Sequence, residues 1–336
     1  MDTKETIHSM KKVVLHIHLD GSLRPETVQN WFREEGELVK INELKKKLTV
    51  EKDCKSLSEY LEKFELPLRF LQTEERLEKA TFEVFEDLAK RNVIYAEVRF
   101  APILHLQNGL SQNQVVEAAI TGMKEAKEKY GIEGNLILCC MRCEHNELAN
   151  EETVKTAKKY LGKGVCAIDL AGSEGDYPTK DYKDIFVLAK ENKIPFTIHA
   201  GEADGPESIR TGLKFGAERI GHGVRCLEDK ELLKKLKSKG TLLEICPTSN
   251  LQTGATKAKK NKKYPIESIF EAGIAVGLNT DNDTVSNTDI EKEYEWVLGN
   301  TSLTVDNLKQ MNLASARAAF TTEKVKKSLE KQILEK

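Results

Sequence analysis

The stretch Leu15-His16-Ile17-His18-Leu19-Asp20-Gly21 follows Lys12-Val13-Val14, and its β-branched and apolar residues read as a strand buried on both faces, the kind parallel sheets use. Side chains at i and i+2 of a strand leave on the same face, so His16 and His18 point together while Ile17 points away. Two imidazoles side by side form half a metal site. On the pair alone, a core strand with two hydrogen-bonded histidines is an equally good reading.

Working outward, short apolar runs recur along the chain: Val13–Asp20, Val93–Ala101, Asn135–Arg142, Val165–Gly172, Pro195–Glu202, Arg219–Val224, Thr241–Asn250 and Ala275–Asn282. Between them lie segments such as Asp181–Asn192 and Asp229–Gly240, where apolar residues return every three or four positions among lysines and glutamates and an Asn or Gly closes the end. Eight strands separated by helices predict a parallel sheet, and a count of eight favours closure into a (β/α)₈ TIM barrel over an open doubly wound sheet. The 336 residues, 39% of them hydrophobic, suffice for one such barrel with additions, and no linker divides them. We therefore expect one domain over 1–336.

A formal net charge of −2, from 52 basic and 54 acidic residues, gives no global field to attract nucleic acid or a membrane surface. No apolar run has the length of a signal peptide or a membrane span, and the seven scattered cysteines suit a reducing compartment, so a soluble cytoplasmic protein is expected. Lys257, Lys259, Lys260, Lys262 and Lys263 read as a solvated loop after the seventh strand, with contact to an anionic ligand group as the alternative.

One connection is oversized. Roughly seventy residues separate the first two strands, far beyond the usual connection length. Helices are expected from Arg24-Pro25-Glu26, over Leu57–Leu71 and over Glu74–Arg91, making an insertion of about 24–91. The spacing of Leu57, Tyr60, Leu61 and Phe64 predicts one apolar helix face, which either packs on the barrel or covers the strand ends as a lid.

Active sites of this fold lie at the C-terminal ends of the strands. Here those ends are polar: His16-x-His18-x-Asp20, Asp169-Leu170-Ala171-Gly172, His199-Ala200-Gly201-Glu202, Gly221-His222-Gly223 and Asn279-Thr280-Asp281-Asn282. Four of the seven histidines fall there, and a shared metal explains the gathering where core packing does not. His16, His18, His199 and Asp281 form a nitrogen and oxygen donor set that suits one zinc ion per chain. The fourth strand ends in Ala171-Gly172 and offers no lysine to bridge a second metal. Glu202 fits a general acid–base role, and His222 fits a group that orients or deprotonates the attacking water. Asp20 and Gly172 either contact a polar substrate or serve as a turn carboxylate and a tight strand exit. Cys140-x-x-Cys143 lacks the preceding His-x-Glu of the cytosine-type zinc deaminases and reads as core sulfur.

The motifs LHIHLDGSLRPE, EVRFAP, DLAGSE, TIHAGE, RIGHGV, CPTSN and LNTDN, in this order and mostly at successive strand ends, resemble the adenosine deaminase family of bacterial type from about Lys12 to about Phe320. The resemblance implies a (β/α)₈ barrel that deaminates adenosine, and 2′-deoxyadenosine, in purine salvage, with zinc on His16, His18, His199 and Asp281. It further implies Glu202 as proton donor to purine N1, His222 as partner of the attacking water, Gly172 donating its amide to the purine, Asp20 contacting the ribose, and Leu57, Tyr60, Leu61 and Phe64 as a hydrophobic gate. Many members carry a second aspartate where this chain has Asn282. That aspartate contacts purine N7, an acceptor, and an Asn amide donates to an acceptor at any pH, so Asn282 is expected to keep the contact.

Two other readings remain. Related barrels deaminate adenine or adenosine monophosphate, and adenine-directed relatives tend to carry Glu where Asp20 stands. A non-catalytic binding protein on the same scaffold would be expected to have lost a ligand or the acid, and here His16, His18, His199, Asp281 and Glu202 are all present.

Overall fold

The computed structural model describes residues 2–335 apart from 52–53, 55 and 257–263, so the lysine cluster lies outside the described residues. All eight runs carry strand: β1 (Lys12–His18), β2 (Val93–Phe100), β3 (Glu133–Arg142), β4 (Val165–Gly172), β5 (His199–Ala200), β6 (Arg219–His222), β7 (Leu242–Ile245) and β8 (Val276–Leu278). Every neighbouring pair is parallel, in the orders β1-β2-β3-β4 and β5-β6-β7-β8. Two seams join these halves. At the first, Ile168 pairs with Phe196 just before β5, Ile168 N donating to Pro195 O at 3.1 Å and Thr197 N to Ile168 O at 3.2 Å. At the second, Ile17 pairs with Asp281, His18 N donating to Asp281 O at 2.7 Å and Asp281 N to His16 O at 3.1 Å. The sheet thereby closes on itself as a (β/α)₈ barrel.

Local sequence accounts for the element ends. Asp229 caps the helix Lys230–Lys239 by accepting from Glu231 N and Leu232 N at 3.0 Å each, and Gly240 ends it. The helix expected over Asp181–Asn192 is α-helical over Lys183–Glu191 after a 3₁₀ turn at Thr179–Tyr182. Two runs depart from expectation. Regular strand in the fifth shrinks to His199–Ala200, and the seventh ends at Ile245, after which Pro247–Gln252 is helical. Pro247 stands at the first helical position, where its fixed φ fits and its missing N–H costs nothing.

The β1–β2 insertion holds helices Pro25–Glu34, Ile41–Leu48, Leu57–Leu61, Glu65–Phe70 and Glu74–Lys90. The single helix expected over 57–71 is thus broken, with a 3₁₀ turn at Glu62–Phe64. Pro67 demands the break, since in mid-helix it would remove a hydrogen bond and clash with the preceding turn, whereas the first turn of a new helix accepts it. Cys140 packs in the core, but Cys143 lies beyond β3 and is exposed, which corrects its reading as core sulfur. No helix among the described residues is long and apolar enough to cross a membrane.

The barrel interior carries charge where branched apolar residues ordinarily stack. Arg99 reaches Asp169 and Glu244, each at 2.8 Å, and Arg219 reaches Glu244 at 2.7 Å and Glu97 at 2.6 Å, all of them buried. Phe320 closes the floor, its ring under the Arg219 guanidinium and its N–H donating to Glu97. Removing one partner from such a network strands a buried charge, at a cost of about 3–5 kcal/mol.

Another buried carboxyl has no ion pair with a cation among the described residues. Glu293 is fully buried on the helix Ile290–Asn300, accepting from Thr288 Oγ1 at 2.5 Å and Thr248 N at 3.1 Å. Burial pushes its pKa up to about 7. A raised folded pKa means stability that is complete below pH 4.5 and lost as pH rises through 7, worth about 3 kcal/mol over that window. Glu293→Gln is expected to gain on the wild type by that amount between pH 5 and pH 8 in urea unfolding. Parallel stability curves for the two proteins would show that Glu293 does not titrate on folding.

Candidate active site

The strand ends bring the candidates to one point. His16 and His18 come from β1, His199 from β5 and His222 from β6, while Asp281 follows β8. His16 Nε2 lies 3.2 Å and His18 Nε2 3.4 Å from Asp281 Oδ1, and His18 Nε2 lies 3.2 Å from His199 Nε2. One donor atom each from His16, His199, His222 and Asp281 falls within 4.8 Å of the others, a group that could hold a metal ion. Among the described residues, the buried Nε2 atoms of His16 and His222 have no hydrogen-bond partner. Buried imidazole nitrogens that converge on one another and on a carboxylate are poorly explained as packing and well explained as a cation site.

Two of the rings, and the aspartate, are held from behind. Glu244 Oε2 lies 2.9 Å from His16 Nδ1, Asp169 Oδ2 lies 2.8 Å from His199 Nδ1, and Ser249 Oγ donates to Asp281 Oδ2 at 2.6 Å. Carboxylates on the far nitrogens fix the ring orientation and leave Nε2 as the donor to a metal. Burial alone would raise the pKa of these carboxyls. Opposite charges outweigh it: His199 and Arg99 hold Asp169 well below the usual range, and Arg99, Arg219 and His16 do the same for Glu244. Sequence reasoning gave neither residue a role. Its only signal was one carboxylate inside an otherwise apolar strand.

His222 is set by a different chain of contacts. Tyr264 donates its hydroxyl to Asn250 Oδ1 at 3.0 Å, which turns the Asn250 amide nitrogen to His222 Nδ1 at 2.9 Å. The ring proton is thereby placed on Nε2, 3.5 Å from Glu202 Oε2, so His222 lies in the cluster but in this tautomer offers that nitrogen as a donor of a proton and not as a metal ligand. Burial and then the charge of His16 lower the His222 pKa well below 6.5, so the ring is neutral. Glu202 accepts from Thr253 Oγ1 at 2.9 Å, and burial, with Asp281 and Glu174 behind it, pushes its carboxyl well above 4.5.

A cavity of about 290 Å³ opens over this cluster, just under the ~300–1,000 Å³ typical of small-molecule sites. Strand-end residues form its floor and Leu57, Tyr60, Leu61 and Phe64 of the insertion form its roof. Tyr60 is fully buried, its hydroxyl 2.6 Å from Ser286 Oγ. Asp20, Gly172, Glu202 and Asn282 all line the cavity. Burial raises the Asp20 carboxyl to about 7, partly offset by its own and Gly21 N–H groups. Gly172 has φ of 105°, a conformation that favours glycine, and Gly21 is needed because a Cβ there would stand 1.7 Å from Asn282 Oδ1. A larger groove of about 670 Å³ beside the insertion is lined by ion-paired groups such as Arg24 with Asp87 and holds none of these candidates.

Residues 11–336 match the family described as adenosine deaminase. The chain is 41% identical over 333 residues to an adenosine deaminase of Clostridium perfringens, covering 97% of this chain and 98% of that one. It is 43% identical over 322 residues to an adenosine deaminase of Haemophilus ducreyi, covering 94% and 93%. Among solved structures, the N6-methyl-AMP deaminase of Arabidopsis thaliana superposes with a TM-score of 0.84 at 28% identity, covering 98% of each chain. With the barrel, the histidine and aspartate cluster at its mouth and this full-length likeness together, the chain belongs to the adenosine deaminase family.

Proposed function

We propose that the protein hydrolyses adenosine, and 2′-deoxyadenosine, to inosine or deoxyinosine and ammonia. The observation that carries this reading is the placement of a buried Glu202 beside a convergent set of imidazoles under a small apolar roof. His16, His18, His199 and Asp281 would hold a zinc ion, whose preference for imidazole and carboxylate matches the donors present. When bound, zinc makes a water nucleophilic near neutral pH by lowering its pKa from about 15.7 to about 7.

The chain's own groups then direct the chemistry. His222, neutral with its proton on Nε2, donates to the attacking oxygen and orients it. Glu202 gives its proton to N1, which turns C6 from a poor electrophile into a good one. Oxygen adds at C6 and the C6–N bond breaks. One water proton restores Glu202, the other leaves on ammonia, and the N1 proton stays in inosine. The Gly172 amide and the Asn282 side chain hold the purine edge, Asp20 faces the ribose, and the insertion over 24–91 acts as the lid that excludes bulk water.

A phosphate on the substrate would need a free cation at the cavity. Arg142 is the one lysine or arginine among the described lining residues, and its two terminal guanidinium nitrogens are taken by Tyr177 O at 2.7 Å, Thr179 Oγ1 at 2.9 Å and His199 O at 2.7 Å. This favours the nucleoside over the monophosphate, and Asp20 favours it over the free base. Zinc-loaded protein is expected to lower the ultraviolet absorbance of adenosine and deoxyadenosine at initial rates at least tenfold above those with adenine or adenosine monophosphate. A higher rate with either of the latter refutes the substrate assignment.

A further inference from the structure

Between β5 and the helix Pro206–Phe215, the chain from Gly201 to Gly205 has no regular structure, yet it carries Glu202. Four consecutive N–H groups of this segment point at one buried side chain from the loop after β4. Glu174 Oε1 accepts from Gly201 N at 2.7 Å, and its Oε2 accepts from Glu202 N at 3.0 Å, Ala203 N at 2.8 Å and Asp204 N at 3.0 Å. Ser208 Oγ adds a fifth bond to Oε1 at 2.5 Å. Successive N–H groups curled around an anion form a nest, and here the anion is supplied from within the chain. Without it, buried N–H groups beside the site would lose their acceptor, and the segment would have no fixed path.

From this geometry we infer that Glu174 is a positioning residue for the reaction, locking the main chain of 201–204 so that the Glu202 carboxyl stands between Thr253 and His222. The inference rests on the deaminase reading for its consequence, though not for its geometry. Glu174 lies two residues beyond Gly172, so one loop both meets the purine edge and fixes the acid that protonates it. The two contacts therefore belong to a single connection that lies outside the β1–β2 insertion.

Glu174→Gln replaces one acceptor by an N–H₂ facing donors, leaving two or three of the five bonds unmade. Expected for this variant are a kcat on adenosine lower by about 100-fold, a KM within threefold of wild type, unchanged zinc content, and amides of 201–204 that exchange with deuterium at least 100-fold faster. Glu174→Asp, which keeps both oxygens, should recover kcat to within about tenfold of wild type. A kcat within threefold of wild type overturns the inference, as does a loss in which KM, zinc content and kcat all fail together. If Glu174→Gln does not fold, Glu174→Asp and Ser208→Ala carry the test, and unchanged kcat and amide exchange in both defeat it. Should wild-type protein release no ammonia from adenosine, the functional reading fails while the exchange measurement still decides the nest.

Discussion

Glu202→Gln is expected to lower kcat for adenosine by about 10³-fold, within the ~10²–10⁴-fold contributed by a positioned general acid, while zinc content and KM stay near wild type. Glutamine preserves the size of the side chain and the bond from Thr253, which reaches Glu202 Oε1 at 2.9 Å. It removes only the transferable proton. Glutamate can supply that proton at neutral pH because burial, reinforced by Asp281 and Glu174, keeps its carboxyl protonated well above the ordinary range. The sign follows directly: the competent form is full at acid pH and is lost as pH climbs through the raised pKa, so the wild-type rate must fall on the alkaline side. Turnover by the variant within tenfold of wild type, with zinc bound, would falsify the assignment of Glu202 as proton donor.

Asp281→Asn should be nearly as damaging for a different reason. Asp281 has φ of 65°, a left-handed conformation in which Asn is as acceptable as Asp and alanine is strained, so this substitution keeps the backbone and the seam with β1. It deletes the carboxylate charge that faces His16 and His18 at 3.2 and 3.4 Å. Loss of partners one contact further out typically costs 10–100-fold in metal affinity, so loss of a direct ligand should cost more than ~100-fold. After dialysis, elemental analysis should find under about a fifth of the wild-type zinc, with kcat down at least ~10³-fold and an unchanged circular dichroism spectrum. Full zinc retention by Asp281→Asn would remove Asp281 from the ligand set.

Much of this site was legible because chemistry-bearing residues stand where strands end, and strand ends are visible in sequence. His16, His18, His199, His222, Glu202 and Asp281 each close an apolar run, and a parallel barrel sends all such ends to one face. The supporting residues were not legible for a geometric reason. Period-two alternation says that Glu97 and Arg99 share a face, but whether Arg99 meets Asp169 or Glu244 depends on strand tilt and stagger around the closed barrel. Glu174 illustrates the same limit, since nothing in Asp169–Glu174 announces that Gly201–Asp204 will curl around it. The insertion shows the opposite case. The Leu57, Tyr60, Leu61 and Phe64 spacing located the roof of the cavity although the helix that spacing implied is broken before Pro67.

The seam between Asp281 and β1 also bears on how the chain is made. His16 leaves the ribosome 265 residues before Asp281, and both the last barrel hydrogen bonds and the fourth proposed ligand come from that late segment. At ~5–20 residues per second, the first two histidines wait about 13–50 s for their carboxylate. A chain cut short between residues 222 and 281 would therefore carry all four histidines without the carboxylate proposed to complete the site.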